Sequence, residues 1–380
     1  MLENPDGRPS IDSPIVIGST SLRNRVGMGP VNPGAFDEEG LNSTIARSFY
    51  RTYAEAGIGL IYIGGVAVSS SGRSNRHSLI LAQPSNVRAY ENIVNDVHER
   101  GAALAIQLMH SGRQASSRET GSGLLAASPI ACEYYKESPR AATRSDIDDV
   151  INWFIESAVL AELAGADIIE IHAAHGYLIS GFLSRHSNVR SDSFGGTTAN
   201  RFRILREIVC RVRDRVSCTL GIRINVAENV PSGSLDFTEI IEGIVPFAES
   251  LDFISASAGV YTTGTDWIIP RRELGSALWR DQARSLKAEL GKPILLAGNL
   301  DGMGIASDVI ERNHADVALM VRSLLADPQL YLKWKSGKES DIQPCTELYL
   351  CKYHSRGKGH ITCPYNPVLR EAKRSARRTA

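Results

Sequence analysis

The chain reads as an α/β protein, a (β/α)8 TIM barrel with a short C-terminal extension. Three observations predict this. Eight short apolar runs alternate with longer amphipathic ones, the pattern of parallel strands joined by helices. A chain of 380 residues is long enough to close eight such units around a large core. The run Ile171-His172-Ala173-Ala174-His175-Gly176-Tyr177-Leu178 then emerges from the end of the fourth apolar run, where barrels hold their chemistry. A doubly wound sheet is the rival architecture. It calls for a Gly-x-Gly-x-x-Gly loop after an early strand, and none is well placed.

The strands are expected, in order, at Arg25–Met28, Gly59–Ile63, Ala103–Gln107, Asp167–Ile171, Leu220–Ile224, Leu251–Ser255, Pro293–Ala297 and Asp316–Met320. The residues at the exit of each strand are as informative as the strand. Gly29-Pro30-Val31-Asn32 leaves the first, and by itself Asn32 reads as a turn residue before Pro33-Gly34. Gly64-Gly65 ends the second, either as a tight exit or as a place where a flat ligand approaches the backbone. Gln107 ends the third and Arg223 the fifth; a buried Arg needs an anionic partner, in a salt bridge or in a ligand. Gly298-Asn299 comes after the seventh and Val321-Arg322 after the eighth, where barrels commonly bind phosphate. Helical patterns fill the intervals at Ser145–Ala164, Ala199–Val216, Phe237–Ser250 and Gly302–Asn313, the first with an N-cap signal at Ser145-Asp146-Ile147-Asp148. Long connections at 111–144 and 256–277 lie after strand ends and are expected over the active face. Residues 12–335 form the barrel on this reading and 336–380 the extension.

Composition excludes several function classes. Hydrophobic residues make up 43% and charged residues 22%, as in ordinary globular proteins, and the formal net charge is zero. Nothing there predicts a nucleic-acid or anionic-membrane partner; the expected partner is a small molecule, with a homo-oligomer or a separate electron-donor protein left open. No apolar run reaches the roughly 18 residues of a membrane span. Met1-Leu2-Glu3-Asn4-Pro5 lacks a signal peptide's features, so a cytoplasmic location is expected. The basic stretch Arg370 to Arg378 reads as a solvated terminal helix or a disordered end. Six cysteines do not suggest a disulfide scaffold.

His172, His175 and Tyr177 carry the sharpest chemical signal. Two imidazoles can hydrogen-bond one developing oxyanion, and a nearby phenol can deliver a proton. Alone, His-x-x-His also fits a structural pair or a stray metal site. The motif continues, however, through Phe182-Leu183-Ser184, Ser187-Asn188-Val189-Arg190-Ser191-Asp192, Phe194-Gly195-Gly196 and Asn200-Arg201. With Gln107-Leu108-Met109-His110-Ser111-Gly112-Arg113, this ordered set over residues 12 to 335 resembles the old yellow enzyme family. Its pattern is nearest to the barrel domain of the dienoyl-CoA reductase and trimethylamine dehydrogenase-like group.

The resemblance implies FMN as cofactor, NAD(P)H as electron donor and reduction of the C=C bond of α,β-unsaturated carbonyl compounds. It places Pro30, Val31 and Asn32 beside the flavin ring, where the family usually has Thr, Cys or His at the Asn32 position. It places Gly65 close to the ring, Gln107 on the pyrimidine edge and Arg223 against the N1/O2 edge. Gly298, Asn299, Val321 and Arg322 would hold the phosphate, with Val321 standing where the family usually has Gly. His172 and His175 would bind the substrate carbonyl oxygen, and Tyr177 would protonate the adjacent carbon. Two further readings stay open. One is a flavin-dependent amine dehydrogenase or N-demethylase. The other is a catalytically weak flavin-binding protein.

Cys345, Cys351 and Cys363 come after the barrel with the spacing C-x5-C-x11-C. The longer relatives bind a [4Fe–4S] cluster in such a segment with a pattern close to C-x2-C-x3-C-x11-C. Here Leu348 stands where the second Cys would be, and three thiolates are one short of the usual four. His354 and His360 lack a convincing ligand spacing. The expectation is a cluster-free remnant, standing apart from the flavin chemistry. The longer relatives' C-terminal dinucleotide-binding domain is expected to be missing, so a diffusing nicotinamide or a separate partner would supply electrons.

Overall fold

The computed structural model describes residues 8–34, 44–261, 267–351 and 361–370. The strands are β1 (Ile15–Ile17), β2 (Thr20–Leu22), β3 (Val26–Val31), β4 (Leu60–Ala67), β5 (Ala103–Met109), β6 (Leu125–Ala126), β7 (Arg140–Ala141), β8 (Ile168–Ala173), β9 (Thr219–Asn225), β10 (Phe253–Ser257), β11 (Ile294–Leu296) and β12 (Val317–Met320). Eight of them close into a parallel barrel in the order β3-β4-β5-β8-β9-β10-β11-β12. All eight expected barrel strands are present. The short hairpin β1–β2 and the two-residue pair β6–β7 escape the sequence pattern because neither has length enough to show a period.

Alternation along each strand sorts the core into two layers. Ile168 points into the barrel with Leu60, Tyr62, Ala105, Phe253, Leu295 and Leu319, and Ile17 and Leu22 of the hairpin join this cluster. Ile169, Ile171 and Ala173 belong to the outer cluster, with Phe154, Ile155 and Ala158 of the covering helix. Both strand faces are therefore buried, which is why the barrel strands read as continuous apolar runs.

Helix starts obey local chemistry more closely than apolar periodicity. The helices are α1 (Thr44–Glu55), α2 (Val87–His98), α3 (Ser117–Thr120), α4 (Arg144–Leu163), α5 (Leu178–Leu183), α6 (Thr198–Arg201), α7 (Arg203–Arg213), α8 (Phe237–Ile244), α9 (Arg280–Leu290), α10 (Met303–Glu311), α11 (Arg322–Ala326) and α12 (Leu330–Lys335). The cap of α4 is Thr143, not Ser145: its hydroxyl accepts from the Asp146 N–H while the Asp146 carboxylate reaches back to Thr143. The expected Ala199–Val216 helix breaks at Phe202 into α6 and α7. The Phe237–Ser250 helix tightens to 3-10 geometry at Val245, where Pro246 cannot donate to the ladder.

Candidate functional site

The barrel interior turns polar toward the C-terminal ends of the strands. Inward positions on β8 run Ile168, Glu170, His172. The register sets Gln107 of β5 beside Glu170, Arg223 of β9 beside His172, and Ser255 of β10 beside Arg223. Glu170 is 0% exposed. It accepts from the Tyr62 hydroxyl at 2.9 Å, Gln107 Nε2 at 2.6 Å and Arg223 Nε at 2.9 Å, and it also bonds the Ser255 hydroxyl. The anionic partner expected for Arg223 is thus Glu170. Sequence reasoning passes over this residue as part of an apolar strand. The signal that could have found it is a carboxylate in the middle of the strand, flanked on both sides by Ile169 and Ile171.

Above this layer a cleft of about 290 Å3 opens among the strand ends. Its lining includes Pro30, Val31, Asn32, Gly65, Gln107, His172, His175, Tyr177, Arg223, Gly298, Asn299, Val321 and Arg322, so the fold brings together every site residue read from the strand ends. The two imidazole rings are 5.0 Å apart by centroid and nearly perpendicular, and the Tyr177 ring is 5.0 Å from His172. His172 Nδ1 accepts the Ala174 N–H at 3.2 Å. A neutral imidazole has one acceptor and one donor, so the proton of His172 sits on Nε2. Burial, with lesser contributions from His175 and Arg223, holds His172 well below the usual imidazole range. Burial and then Arg223 push His175 down to about 3. Both rings are therefore neutral donors near pH 7.

His175 is held differently from its neighbour. Its Nε2 lies 2.8 Å from the Ser257 hydroxyl, which can donate to that nitrogen or accept from it. Its backbone is left-handed at φ 63, unusual for a residue with a Cβ, and its N–H donates to Asn225 Oδ1 at 3.1 Å. The Tyr177 hydroxyl lies 3.2 Å from that of Tyr261, which belongs to the connection after β10. Ser257 and Tyr261 are functional candidates that sequence reading misses. Ser257 ends β10, two residues beyond the expected strand end, and Tyr261 follows in segment 256–277, which has no pattern of its own. That segment does reach the active face, as expected, and lends Trp267 and Ile268 to the cleft.

The glycines of the cleft serve packing as much as access. A Cβ on Gly64 would stand 2.3 Å from Pro30 Cβ, and one on Gly65 2.3 Å from Met109 Sδ. Gly298 has φ 143, and a Cβ there would stand 2.4 Å from the Trp279 ring. Asn32 turns its Oδ1 to the Gly34 N–H at 2.8 Å and its Nδ2 to the His77 carbonyl at 3.4 Å, the behaviour of a turn residue at the edge of the cleft.

The C-terminal extension closes the far end of the cleft. Arg322 donates to Glu347 Oε1 at 2.8 Å, to Asn299 Oδ1 at 2.6 Å and to the Pro270 carbonyl at 2.5 Å. Cys351 and Ile361 also line the cleft. Residues after 336 thus reach the site, which corrects the expectation that this segment stands apart from it. Asn366 ties the segment down by donating to the Leu325 carbonyl at 3.0 Å. Cys345, Cys351 and Cys363 line one small cavity. Among the described residues, no group of three or more His, Cys, Asp or Glu is arranged to hold a metal ion. His354, His360, the five N-terminal residues and the tail beyond Arg370 lie outside the described residues.

The second half of the long motif is a latch. Asn188 Nδ2 donates to the Phe182 and Phe194 carbonyls at 2.6 and 2.8 Å. Arg201, 2% exposed, donates to the Leu183 and Gly196 carbonyls and to Glu239. Ser184 donates to Glu228 at 2.7 Å. Burial pushes the Glu228 carboxyl up to about 7, against the hydrogen bonds from Leu235 and Ser184. A raised carboxyl pKa stabilises the fold fully below its unfolded value, and that contribution is lost as pH rises through the folded value. From 4.5 to about 7 the loss is on the order of 3 kcal/mol. Glu228→Gln should accordingly flatten the stability profile across this window and raise stability at pH 8. Thermal melts at a series of pH values check this; parallel profiles for the two proteins would contradict it.

Residues 10–341 match the NADH:flavin oxidoreductase / NADH oxidase family. An NADH oxidase from Thermoanaerobacter brockii is 31% identical over 369 residues, 95% of this chain and 56% of that protein. An NADPH dehydrogenase from Geobacillus thermodenitrificans (strain NG80-2) is 29% identical over 337 residues, 87% of this chain and 94% of that protein. The chain therefore spans little more than half of the first relative and nearly all of the second. Among solved structures, 2-naphthoyl-CoA reductase in complex with 2-naphthoyl-CoA superposes with a TM-score of 0.89 at 24% identity, over 96% of this chain and 58% of that one. At that identity the likeness speaks for the fold.

Proposed function

We propose that this chain, which belongs to the NADH:flavin oxidoreductase / NADH oxidase family, reduces the C=C bond of an α,β-unsaturated carbonyl compound. Membership makes it a flavin-dependent oxidoreductase with FMN and NAD(P)H as cofactors. The residues present suit FMN. Arg223 Nη2 is buried with no partner among the described residues, a charged donor aimed at nothing the protein supplies. Pro30, Val31, Asn32 and Gly65 would border the ring, Gln107 and Arg223 would meet its polar edge, and Gly298, Asn299, Val321 and Arg322 would meet the phosphate. We also take 12–335 as the barrel and 336–380 as an extension, whose Glu347 carboxylate pairs with Arg322 and would have to yield it to the phosphate.

The observation that carries the reading is the neutral imidazole pair beside Tyr177. Bound FMN supplies the two-electron chemistry, drawn from NAD(P)H and delivered to the substrate. The protein's part is to hold and polarise that substrate. His172 Nε2–H and a donor on His175 bind the carbonyl oxygen, and they bind it more tightly as it becomes an enolate. Because neither ring is charged, they donate hydrogen bonds without surrendering a proton. The Tyr177 hydroxyl then protonates the adjacent carbon. An amine substrate suits the cleft less well. Among the described lining residues the one carboxylate is Asp301, already paired with Arg272, while Arg223 places positive charge near the imidazoles.

The test uses FMN-loaded protein under anaerobic conditions. After reduction with NADH or NADPH, addition of 2-cyclohexenone should reoxidise the flavin and yield the saturated ketone. A secondary or tertiary amine should leave oxidised flavin unreduced. Reduction by the amine with inertness to the enone would establish the dehydrogenase reading, and failure of folded protein to take up FMN would defeat both.

A further inference from the structure

A fully buried glutamate lies at the base of the cleft, on the barrel axis side of β8. An apolar side chain would fill a barrel layer without the cost of burying a carboxylate, so the choice of Glu170 calls for a reason. Its contacts supply one. All four neighbours, Tyr62, Gln107, Arg223 and Ser255, present donors. An acceptor-only carboxylate dictates which end of a carboxamide faces it. Gln107 turns Nε2 to Glu170, so its Oε1 faces the Gly64–Gly65 strand end, 3.3 Å from where a Cβ on Gly64 would be. Arg223 spends Nε on the same carboxylate oxygen, lines the cleft, and has its Nη2 buried with no partner among the described residues. One anion therefore presents an acceptor and a charged donor side by side to whatever occupies the site. A flavin's pyrimidine edge has the matching chemistry: an N–H flanked by carbonyls, with negative charge added on reduction.

We propose that Glu170 is a positioning residue that sets the reduction potential of the bound flavin. It orients Gln107 and Arg223 toward the cofactor and offsets part of the Arg223 charge. This rests on the FMN reading above. Glu170→Gln isolates the electrostatic part. The new carboxamide can keep its oxygen on Gln107 Nε2 and Arg223 Nε while its NH2 faces the Tyr62 and Ser255 hydroxyl oxygens, so the geometry persists and the charge is gone. Uncompensated, Arg223 then favours the anionic reduced flavin.

The measurement is an anaerobic dye-coupled redox titration of the FMN-loaded protein, alongside FMN binding to the apoprotein by fluorescence. Glu170→Gln should bind FMN and favour the reduced over the oxidised form about tenfold more than wild type, which is about 30 mV upward for a two-electron couple. Tyr62→Phe removes one donor from the other carboxylate oxygen and keeps the charge, so it should leave the potential near wild type whatever it does to stability. An unmoved potential in Glu170→Gln, or an equal shift in Tyr62→Phe, overturns the inference. If Glu170→Gln yields no folded protein, Glu170→Asp, which withdraws the charge by one methylene, should shift the potential the same way by less; no shift there overturns it equally. Wild-type apoprotein that takes up no FMN defeats the flavin reading itself, whereas normal binding with an unmoved potential defeats this inference alone.

Discussion

Tyr177→Phe is expected to slow reoxidation of the reduced protein by a cyclic enone about 10²-fold or more, as loss of a positioned general acid does. Reduction by NAD(P)H should be unchanged. The phenol stands 5.0 Å from the His172 ring by centroid, beside the imidazole pair, so its loss removes the proton without disturbing the oxyanion donors. Its contribution to α5 is through the backbone, which Phe retains. The Tyr261 hydroxyl lies 3.2 Å away, and Tyr261→Phe should cost less than about tenfold because Tyr177 still delivers the proton. Stopped-flow traces of the two half-reactions, taken separately, decide the matter. Equal slowing of both in Tyr177→Phe would assign the residue a structural role.

Arg201→Ala should destabilise the fold by about 3–5 kcal/mol, the usual result of removing one partner from a buried ion pair. The guanidinium bonds the Leu183 carbonyl at 2.7 Å, the Gly196 carbonyl at 2.5 Å and Glu239 at 2.6 Å. Glu239 keeps Arg185 at 2.8 Å, which favours the lower end of that range. Lys should not rescue, because one ammonium cannot span three acceptors set for a planar fork. Urea unfolding of the apoprotein measures the loss. A change of less than about 1 kcal/mol would show that the loop from Leu183 to Gly196 holds without its latch, since surface arginines contribute at that level.

How far the chain's residues disclose the site depends on where each one sits. His172, Tyr177, Gln107 and Arg223 are legible because each marks the end of an apolar run, and a parallel barrel gathers its strand ends on one face. Asn188, Arg201 and Ser184 are legible as a motif but not as a mechanism. Their bonds go to main-chain carbonyls and to Glu228 and Glu239, partners about 40 residues away or hidden in the backbone. Tyr261 gives no sign at all, since a connection with no period offers no handle on direction, and Ser257 is missed because β10 runs two residues beyond the expected strand end at Ser255. The C-terminal segment misleads for a related reason. Sequence order puts Glu347 after the barrel, but the chain folds back until that carboxylate meets Arg322.

Hydrophobic patterning is enough to specify the barrel, its eight strands and the neighbourhood of the imidazole pair, because burial on both strand faces writes a one-dimensional apolar signal. Charges and protons are settled only once the strands are assembled. Glu170 looks like an intruder in an apolar run until register on four strands surrounds it with Tyr62, Gln107, Arg223 and Ser255. His172 carries its proton on Nε2 because the Ala174 N–H takes Nδ1, and the burial that keeps both rings neutral comes from closing the barrel. Hydrophobic period is a local property of the chain, whereas hydrogen-bond partners and desolvation belong to the assembled site.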